Sequence, residues 1–441
     1  MSNEHHEREI GAVILAAGMG ERLQDKRWPK PLARVAGMSL LERTGRTLRA
    51  AGLKGTMVVV VGHRGEEVVE FIRDRKLDVR VVENSEYLRG NATSVLAALP
   101  YVPERFVVAM VDHIYSPESV RSMLSCSGSF VAAIDTTPMY ADPDEATRVR
   151  VRGGLVTDFG KGIEPYDALD TGLFLCSRSA LEQIRTDTDG ELTWNAFKRA
   201  WLESGREIHA CDISGAPWID VDSQQELKRA PEAILDWAAS GSDGFVSRHL
   251  NRKLSRRITR VLLRTPITAD QASVLSFLVA SVSAGLLARG AWGTGGLLVQ
   301  LSSVLDGCDG EVARARLQSS PRGAVFDATL DRWSDALMLS GMASGARSRP
   351  STLAAYAALS GALLVPYTRA KMESEFGKMP PELTRFGATR DVRLAVLALG
   401  ALLRQPTATL VALGIAGNLE VARRLWGLRH AGRFGESPMT E

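Results

Sequence analysis

Residues 306–335 read DGCDGEVARARLQSSPRGAVFDATLDRWSD, with five aspartates between long apolar runs. Asp306 and Asp309 are three apart and Asp327 and Asp331 four apart, so each pair shares one helical face. The Ser-Ser-Pro-Arg-Gly between them permits a turn, and two antiparallel helices would set the pairs face to face. Four carboxylates in apolar surroundings repel one another and take up protons unless one or two divalent cations gather them into a coordination sphere. An ionised carboxylate in a membrane helix costs at least ~2.5 kcal/mol, so acids kept there mark a site. Asp335 lies one turn further on, where an interhelix ion pair is the plain alternative.

A second constellation lies far upstream. GAVILAAGMGERL, residues 11–23, reads as a buried strand entering a Gly-rich turn and then a helix. Gly18 and Gly20 let backbone N–H groups approach a phosphate, and Arg22 with Lys30 of RWPKPL adds two cations that would neutralise a triphosphate and stabilise departing pyrophosphate. Asp112 ends the apolar strand VVAMVDH, where an acid has no packing purpose. In WIDVDSQQEL, Asp222 and Ser223 read as helix caps. A dinucleotide-binding reading fails, because Leu23 stands where the third glycine belongs.

Those residues need elements to carry them, and 441 residues are too many for one ordinary core. Residues 1–235 alternate short apolar strands with amphipathic helices, which predicts an N-terminal α/β Rossmann-like domain on the cytoplasmic side, with no cleavable signal peptide in MSNEHHEREI. Residues 267–441 contain six apolar runs near 271–289, 292–312, 323–345, 351–370, 388–404 and 406–425, which predict an all-α domain of six transmembrane helices. Between them, in residues 236–266, RHLNRKLSRRITRVLLR carries seven bases and no acid, with Leu250, Leu254, Ile258, Val261 and Leu262 on one face. That pattern predicts an amphipathic interfacial helix in the headgroup layer. No aromatic residues interleave with its bases, which counts against nucleic acid. An even number of spans with bases gathered at one end places both termini in the cytoplasm of a multi-pass inner-membrane protein. Cys126, Cys176, Cys211 and Cys308 show no metal spacing and predict no disulfide framework.

The upstream motifs LAAGMGERL and PKPL resemble the sugar nucleotidyltransferase family over about residues 11–230. The resemblance implies Asn91 and Ser94, in ENSEYLRGNATSVLAAL, near the nucleotide, and Asp112 and Asp220 as Mg²⁺ ligands. It places Lys161 of FGKGIEPYDALDTGLF at the acceptor phosphate and Asp170, Thr171 and Gly172 at its hydroxyls. Downstream, D-x-x-D-G-x-x-A-R followed by G-x-x-x-D-x-x-x-D is filled at every position, and the segment is similar to the CDP-alcohol phosphotransferase family over roughly residues 245–430. That likeness implies Asp306, Asp309 and Asp327 as Mg²⁺ or Mn²⁺ ligands, and Asp331 as general base and ligand of a second metal. It further implies Gly310, Ala313 and Gly323 at the nucleotide and Arg314 on its diphosphate. Arg369, Lys371, Arg385, Arg390 and Arg393 near the cytoplasmic helix ends suit a phosphate-bearing acceptor.

Together the halves resemble a bifunctional family that joins a CTP:inositol-1-phosphate cytidylyltransferase to a di-myo-inositol phosphate phosphate synthase. The resemblance implies CTP and inositol 1-phosphate as substrates, CDP-inositol between the two reactions, a lipid bilayer around the second half and a homodimer through it. Two alternatives remain open from the residues alone: a lipid alcohol as acceptor, and an inactive membrane anchor.

Overall fold

The computed structural model describes residues 9–23, 27–183, 192–238, 251–377 and 389–431. They divide into two units, one ending at Trp237 and the other starting at Ala238.

The strands of the first unit are β1 (Gly11–Ala16), β2 (Arg34–Val35), β3 (Met38–Ser39), β4 (Met57–Val61), β5 (Arg80–Glu83), β6 (Arg105–Met110), β7 (His113–Tyr115), β8 (Phe130–Asp135), β9 (Arg148–Arg152), β10 (Leu155–Gly160), β11 (Ala168–Ser177), β12 (His209–Asp212) and β13 (Trp218–Asp220). Nine of them make one sheet in the order β5-β4-β1-β6-β11-β8-β12-β10-β9. GAVILA and MVVVV are wholly buried, as parallel strands covered on both faces require. β1 runs parallel to β4 and β6, with Leu15 opposite Met110, so the turn after β1 and the acid after β6 open at the same strand ends. In open α/β sheets those ends form the ligand crevice. A separate antiparallel pair, β7 with β13, sets Asp220 opposite His113.

Helices α1 (Leu40–Ala50), α2 (Gly65–Asp74), α3 (Asn91–Ala98), α4 (Pro117–Leu124), α5 (Arg178–Glu182), α6 (Trp194–Glu203) and α7 (Gln224–Trp237) complete the unit. The helix expected after the Gly-rich turn is a single 3₁₀ turn, Glu21–Leu23, before residues 24–26, which lie outside the described set. Gly20, at φ +64°, takes the left-handed conformation, and Pro29 and Pro31 follow; neither favours a continuing helix. Contrary to expectation, Cys126 and Cys211 form a disulfide, their Cα atoms 6.6 Å apart. The fold draws together cysteines 85 positions apart, Cys126 after α4 and Cys211 on β12, which spacing does not reveal.

The second unit is helical: α8 (Arg252–Leu262), α9 (Ala269–Ala288), α10 (Trp292–Ala315), α11 (Pro321–Ala346), α12 (Arg349–Phe376), α13 (Arg390–Leu402) and α14 (Pro406–Ala431). α9 to α14 follow the six apolar runs, around a core that includes Leu287, Val299, Met338, Met342, Leu397 and Leu410. Among the described residues α9 is the helix long and apolar enough to cross a membrane by length and composition. Thr268 starts it with a capping box closed by Gln271, and Ser320 caps α11.

α8 turns its hydroxyl residues inward. Ser255 and Thr259 turn inward and donate to Glu311 of α10 at 2.9 and 2.6 Å, and Leu262 is buried with them. Leu254 and Val261 stay exposed, while Leu250 lies outside the described residues. A buried glutamate left unpaired is costly, so the hydroxyl face packs inward. Pro366 lies inside α12 and lacks the N–H that would bond Ala362. Arg332 of α11 donates to that Ala362 carbonyl at 3.0 Å.

Candidate active sites

The first site forms where β1, β6 and the β7–β13 ladder end. Gly20 is required there by crowding: a Cβ on it would lie 2.7 Å from Lys30 Cβ, whereas one on Gly18 would meet nothing within 4 Å. Lys30 donates to Asp112 at 2.7 Å and to Asp222, and Arg22 pairs with Asp222 at 2.8 Å. Asp222 therefore belongs to the site, and the helix-capping role falls to Ser223, whose Oγ accepts the Glu226 N–H at 3.3 Å. His113 Nδ1 lies 2.9 Å from Asp112 and 3.8 Å from Asp220, and its ring stacks on Trp218 at 5.7 Å.

Burial works against each charge in this cluster, and the neighbours decide the outcome. Lys30 and His113 overcome burial and hold Asp112 well below the usual carboxylate range. Asp220 and Asp112 push His113 up to about 9, also against burial. For Asp220 burial wins, and its carboxyl is pushed up to about 6. Asp112, His113 and Asp220 each bring a ligand atom within 4.8 Å of the others, and Asp220 Oδ1 is buried without a hydrogen-bond donor. An orphaned carboxylate oxygen is what a bound cation satisfies, so these residues fit the expected Mg²⁺.

A cavity of about 670 Å³ adjoins the cluster, lined by Arg22, Asn91, Lys161, Asp170, Gly172 and Lys198 among others. A narrower one of about 180 Å³ is lined by Gly18, Gly20, Lys30, Asn91 and Ser94. Asn91 accepts the Trp194 N–H at 2.6 Å, and Ser94 accepts from the buried Asn84 at 2.9 Å. Of the three residues expected at the acceptor hydroxyls, Asp170 and Gly172 line the larger cavity. Thr171 instead is buried and donates to Ala133 O at 3.0 Å, because alternate strand residues face opposite ways. Sequence reasoning missed His113, Asn84 and Lys198; only His113 gave a signal, its place beside Asp112.

The second site lies between α10 and α11. Asp306, Asp309 and Asp327 bring carboxylate oxygens within 4.8 Å of one another, a hard donor set that fits Mg²⁺ or Mn²⁺. Ser273 of α9 donates to Asp309 at 2.5 Å. Arg390 Nη1 lies 2.5 Å from Asp306 and 2.8 Å from Asp331, and its Nε donates to Asp335 at 3.3 Å. Asp335 is buried and also accepts from Arg393 at 2.9 Å, with Arg332 at 3.5 Å, so it is the interhelix ion pair that the sequence left open.

Arg314 donates through Nε to Ala238 O, and its Nη1 would lie 3.0 Å from a Cβ on Gly310, so that glycine makes room for the guanidinium. Ala313, one position before it, is half-buried. Gly323 sits in the first turn of α11, its N–H donated to Ser320 Oγ at 3.0 Å. Arg369 and Lys371 are exposed and pair one turn on with Glu373, at 2.9 Å, and Glu375; Arg385 lies outside the described residues. The acids thus draw Arg390 and Arg393 from the expected basic set.

Comparison with known proteins divides the chain in the same way. Residues 12–188 match a MobA-like NTP transferase domain, and residues 267–422 match a CDP-alcohol phosphatidyltransferase domain. The chain is 64% identical over 421 residues to a bifunctional IPC transferase and DIPP synthase of Rubrobacter xylanophilus, covering 95% of this chain and 97% of that one. Proteins of the same description from Thermococcus kodakarensis and Aquifex aeolicus are 34% and 33% identical, over 94% and 93% of this chain and 96% of each of theirs. With both domain matches in order and near-complete coverage of these relatives, the chain belongs to the family of bifunctional IPC transferases and DIPP synthases.

Proposed function

We propose that the two sites act in sequence on one alcohol. The protein is a nucleotidyltransferase and a CDP-alcohol phosphotransferase in one chain. In the first reaction the phosphate of inositol 1-phosphate attacks the α-phosphorus of CTP, giving CDP-inositol and pyrophosphate. In the second, a hydroxyl of another inositol 1-phosphate attacks the β-phosphorus of CDP-inositol, giving di-myo-inositol phosphate phosphate and CMP. The observation that carries this reading is the presence, in one chain, of two separate acid clusters that each fit a divalent cation.

At the first site the Gly18–Gly20 turn, Asn91 and Ser94 hold the nucleotide, and Lys161 holds the attacking phosphate. Asp112 and Asp220, with His113 beside them, would hold Mg²⁺, which would supply charge to screen the triphosphate and the departing pyrophosphate. Arg22 and Lys30 neutralise the same charge from the protein side, and no protein nucleophile is required.

At the second site Asp306, Asp309 and Asp327 would hold Mg²⁺ or Mn²⁺, and Asp331 would join a second ion. A metal held there would supply charge to polarise the diphosphate and to stabilise departing CMP. Asp331 takes the proton of the attacking hydroxyl. Arg314, anchored on Ala238, faces the CDP diphosphate over Gly310, with Ala313 and Gly323 along the nucleotide. Arg390 and Arg393 serve the acceptor phosphate, with Arg369 and Lys371 further out.

The second unit is membrane-associated, and α9 to α14 form six spans after an interfacial α8. Both termini lie in the cytoplasm, and two copies pair through this unit. Purified protein given CTP, Mg²⁺ and inositol 1-phosphate alone is expected to release both pyrophosphate and CMP. Pyrophosphate without CMP until a lipid alcohol is added would overturn the acceptor assignment.

A further inference from the structure

The cavity beside the first acid cluster contains a buried charge that nucleotidyl transfer does not call for. Lys198, on α6, has no exposed surface, and its ammonium donates to Asp170. The ammonium lies 3.8 Å from the Phe159 ring centroid and 4.9 Å from that of Phe174. Burial holds Lys198 below the ordinary lysine range, with Asp170 opposing it. The other Asp170 oxygen accepts the Gly172 N–H at 2.9 Å. Trp194 lines the same cavity, and its indole N–H is buried without an acceptor.

A buried ion pair stabilises no better than apolar residues of the same size, because desolvation offsets the attraction. The surroundings here, Phe159, Phe174, Trp194 and Phe197, already form an apolar core that needs no such pair. The pair stands instead on a cavity wall. Asp170 and two rings surround Lys198, whereas the carboxylate keeps lone pairs beyond the two its partners use. An ionised carboxylate only accepts, so it selects ligands that donate hydroxyl protons, and such bonds are about twice as strong as neutral ones.

We infer that Lys198 is a positioning residue of the first site, holding Asp170 ionised and oriented so that it reads hydroxyl groups on the alcohol that carries the attacking phosphate. This sets a preference for a polyol phosphate over the phosphate of a simple alcohol, and it rests on the cytidylyl transfer proposed above. Without the ammonium, Asp170 loses the partner that fixes one of its oxygens, and only the Gly172 N–H still orients the carboxylate.

The test is pyrophosphate release by the full-length protein from CTP, Mg²⁺ and inositol 1-phosphate. Lys198→Met is expected to raise KM for inositol 1-phosphate by roughly 10–100-fold, the loss of one charge-assisted hydrogen bond, and to leave KM for CTP unchanged. The variant's preference for inositol 1-phosphate over glycerol 3-phosphate also falls. The double variant Asp170→Asn with Lys198→Met leaves no unpaired charge, so its melting temperature recovers towards wild type while KM stays high. Recovery of KM in the double variant, or an equal rise in KM for CTP, would show that the pair only supports the fold. If the wild-type protein releases no pyrophosphate with inositol 1-phosphate, the cytidylyl transfer itself is wrong, a failure distinct from both.

Discussion

The two acid clusters solve one problem with different parts. In the first unit Asp112 and Asp220 are brought together by a strand ladder that joins residues 107 positions apart, and the counter-charges of the cluster are Lys30, which Asp112 and Asp222 hold above the ordinary lysine range, Arg22 on Asp222, and His113, which titrates. In the second unit the acids follow from helical spacing on α10 and α11, and their counter-charges are Arg332, Arg390 and Arg393. Guanidinium stays charged where an ammonium or imidazole would lose its proton, so a cluster set among apolar helices is better held by arginine. An aqueous crevice tolerates groups that exchange protons with solvent. The first cluster thus keeps a proton-exchanging imidazole among its counter-charges, and the cations described at the second are all guanidinium groups.

The strongest challenge to this contrast is to disable one cluster at a time. Asp331→Ala is expected to slow CMP release from supplied CDP-inositol by about 10²–10⁴-fold while pyrophosphate release continues. Asp112→Ala should do the reverse, stopping pyrophosphate release and sparing CMP release from supplied CDP-inositol. Joint loss of both activities in a folded variant would refute separate sites.

A smaller effect separates the two kinds of counter-cation. Arg390 reaches Asp306 and Asp331, so its guanidinium competes with metal for the same oxygens. In an Asp112→Ala background, Arg390→Gln is expected to lower the melting temperature of the metal-free protein and to tighten Mn²⁺ binding about tenfold. Electron paramagnetic resonance of Mn²⁺ reads the affinity directly; weaker binding would mean that Arg390 supports the metal acids instead of competing.

The first site should respond to pH more modestly. Asp220, at about 6, and His113, at about 9, both sit above their ordinary values of 3.8 and 6.5. Raised values favour the protonated forms, so in metal-free protein the stability from His113 is complete below 6.5 and lost as pH rises through 9. For Asp220 the loss is centred near 6. The same protons oppose metal, so Mn²⁺ affinity at the first site should rise with pH over this window, and titration calorimetry at several pH values checks it. His113→Gln should flatten the upper part of that rise. The least effect is expected from Arg369→Ala: its guanidinium is exposed and paired within α12, so KM for the acceptor should change far less than in Arg390→Gln.

The second site was largely legible because its residues are close in sequence. Helical geometry alone puts Asp306 with Asp309 and Asp327 with Asp331 on shared faces, and the turn between them follows from Ser, Pro and Gly. The first was legible in part: a Gly-rich turn, two cations and an acid at a strand end show in the order of residues. The second acid, Asp220, was reached through family likeness, since nothing local ties it to Asp112.

What the sequence determined by itself is what depends on neighbours along the chain: two unlike halves, the buried strands, the six helices, and the acids with their spacing. Tertiary structure decided what depends on distant partners. It took Asp222 from a helix cap into the Lys30 cluster, turned Thr171 away from the cavity and set Lys198 against Asp170. It also joined Cys126 to Cys211 and gave Asp335 its arginines. Hydrogen bonds and ion pairs act over a few ångströms, and only the fold determines which residues come within that reach.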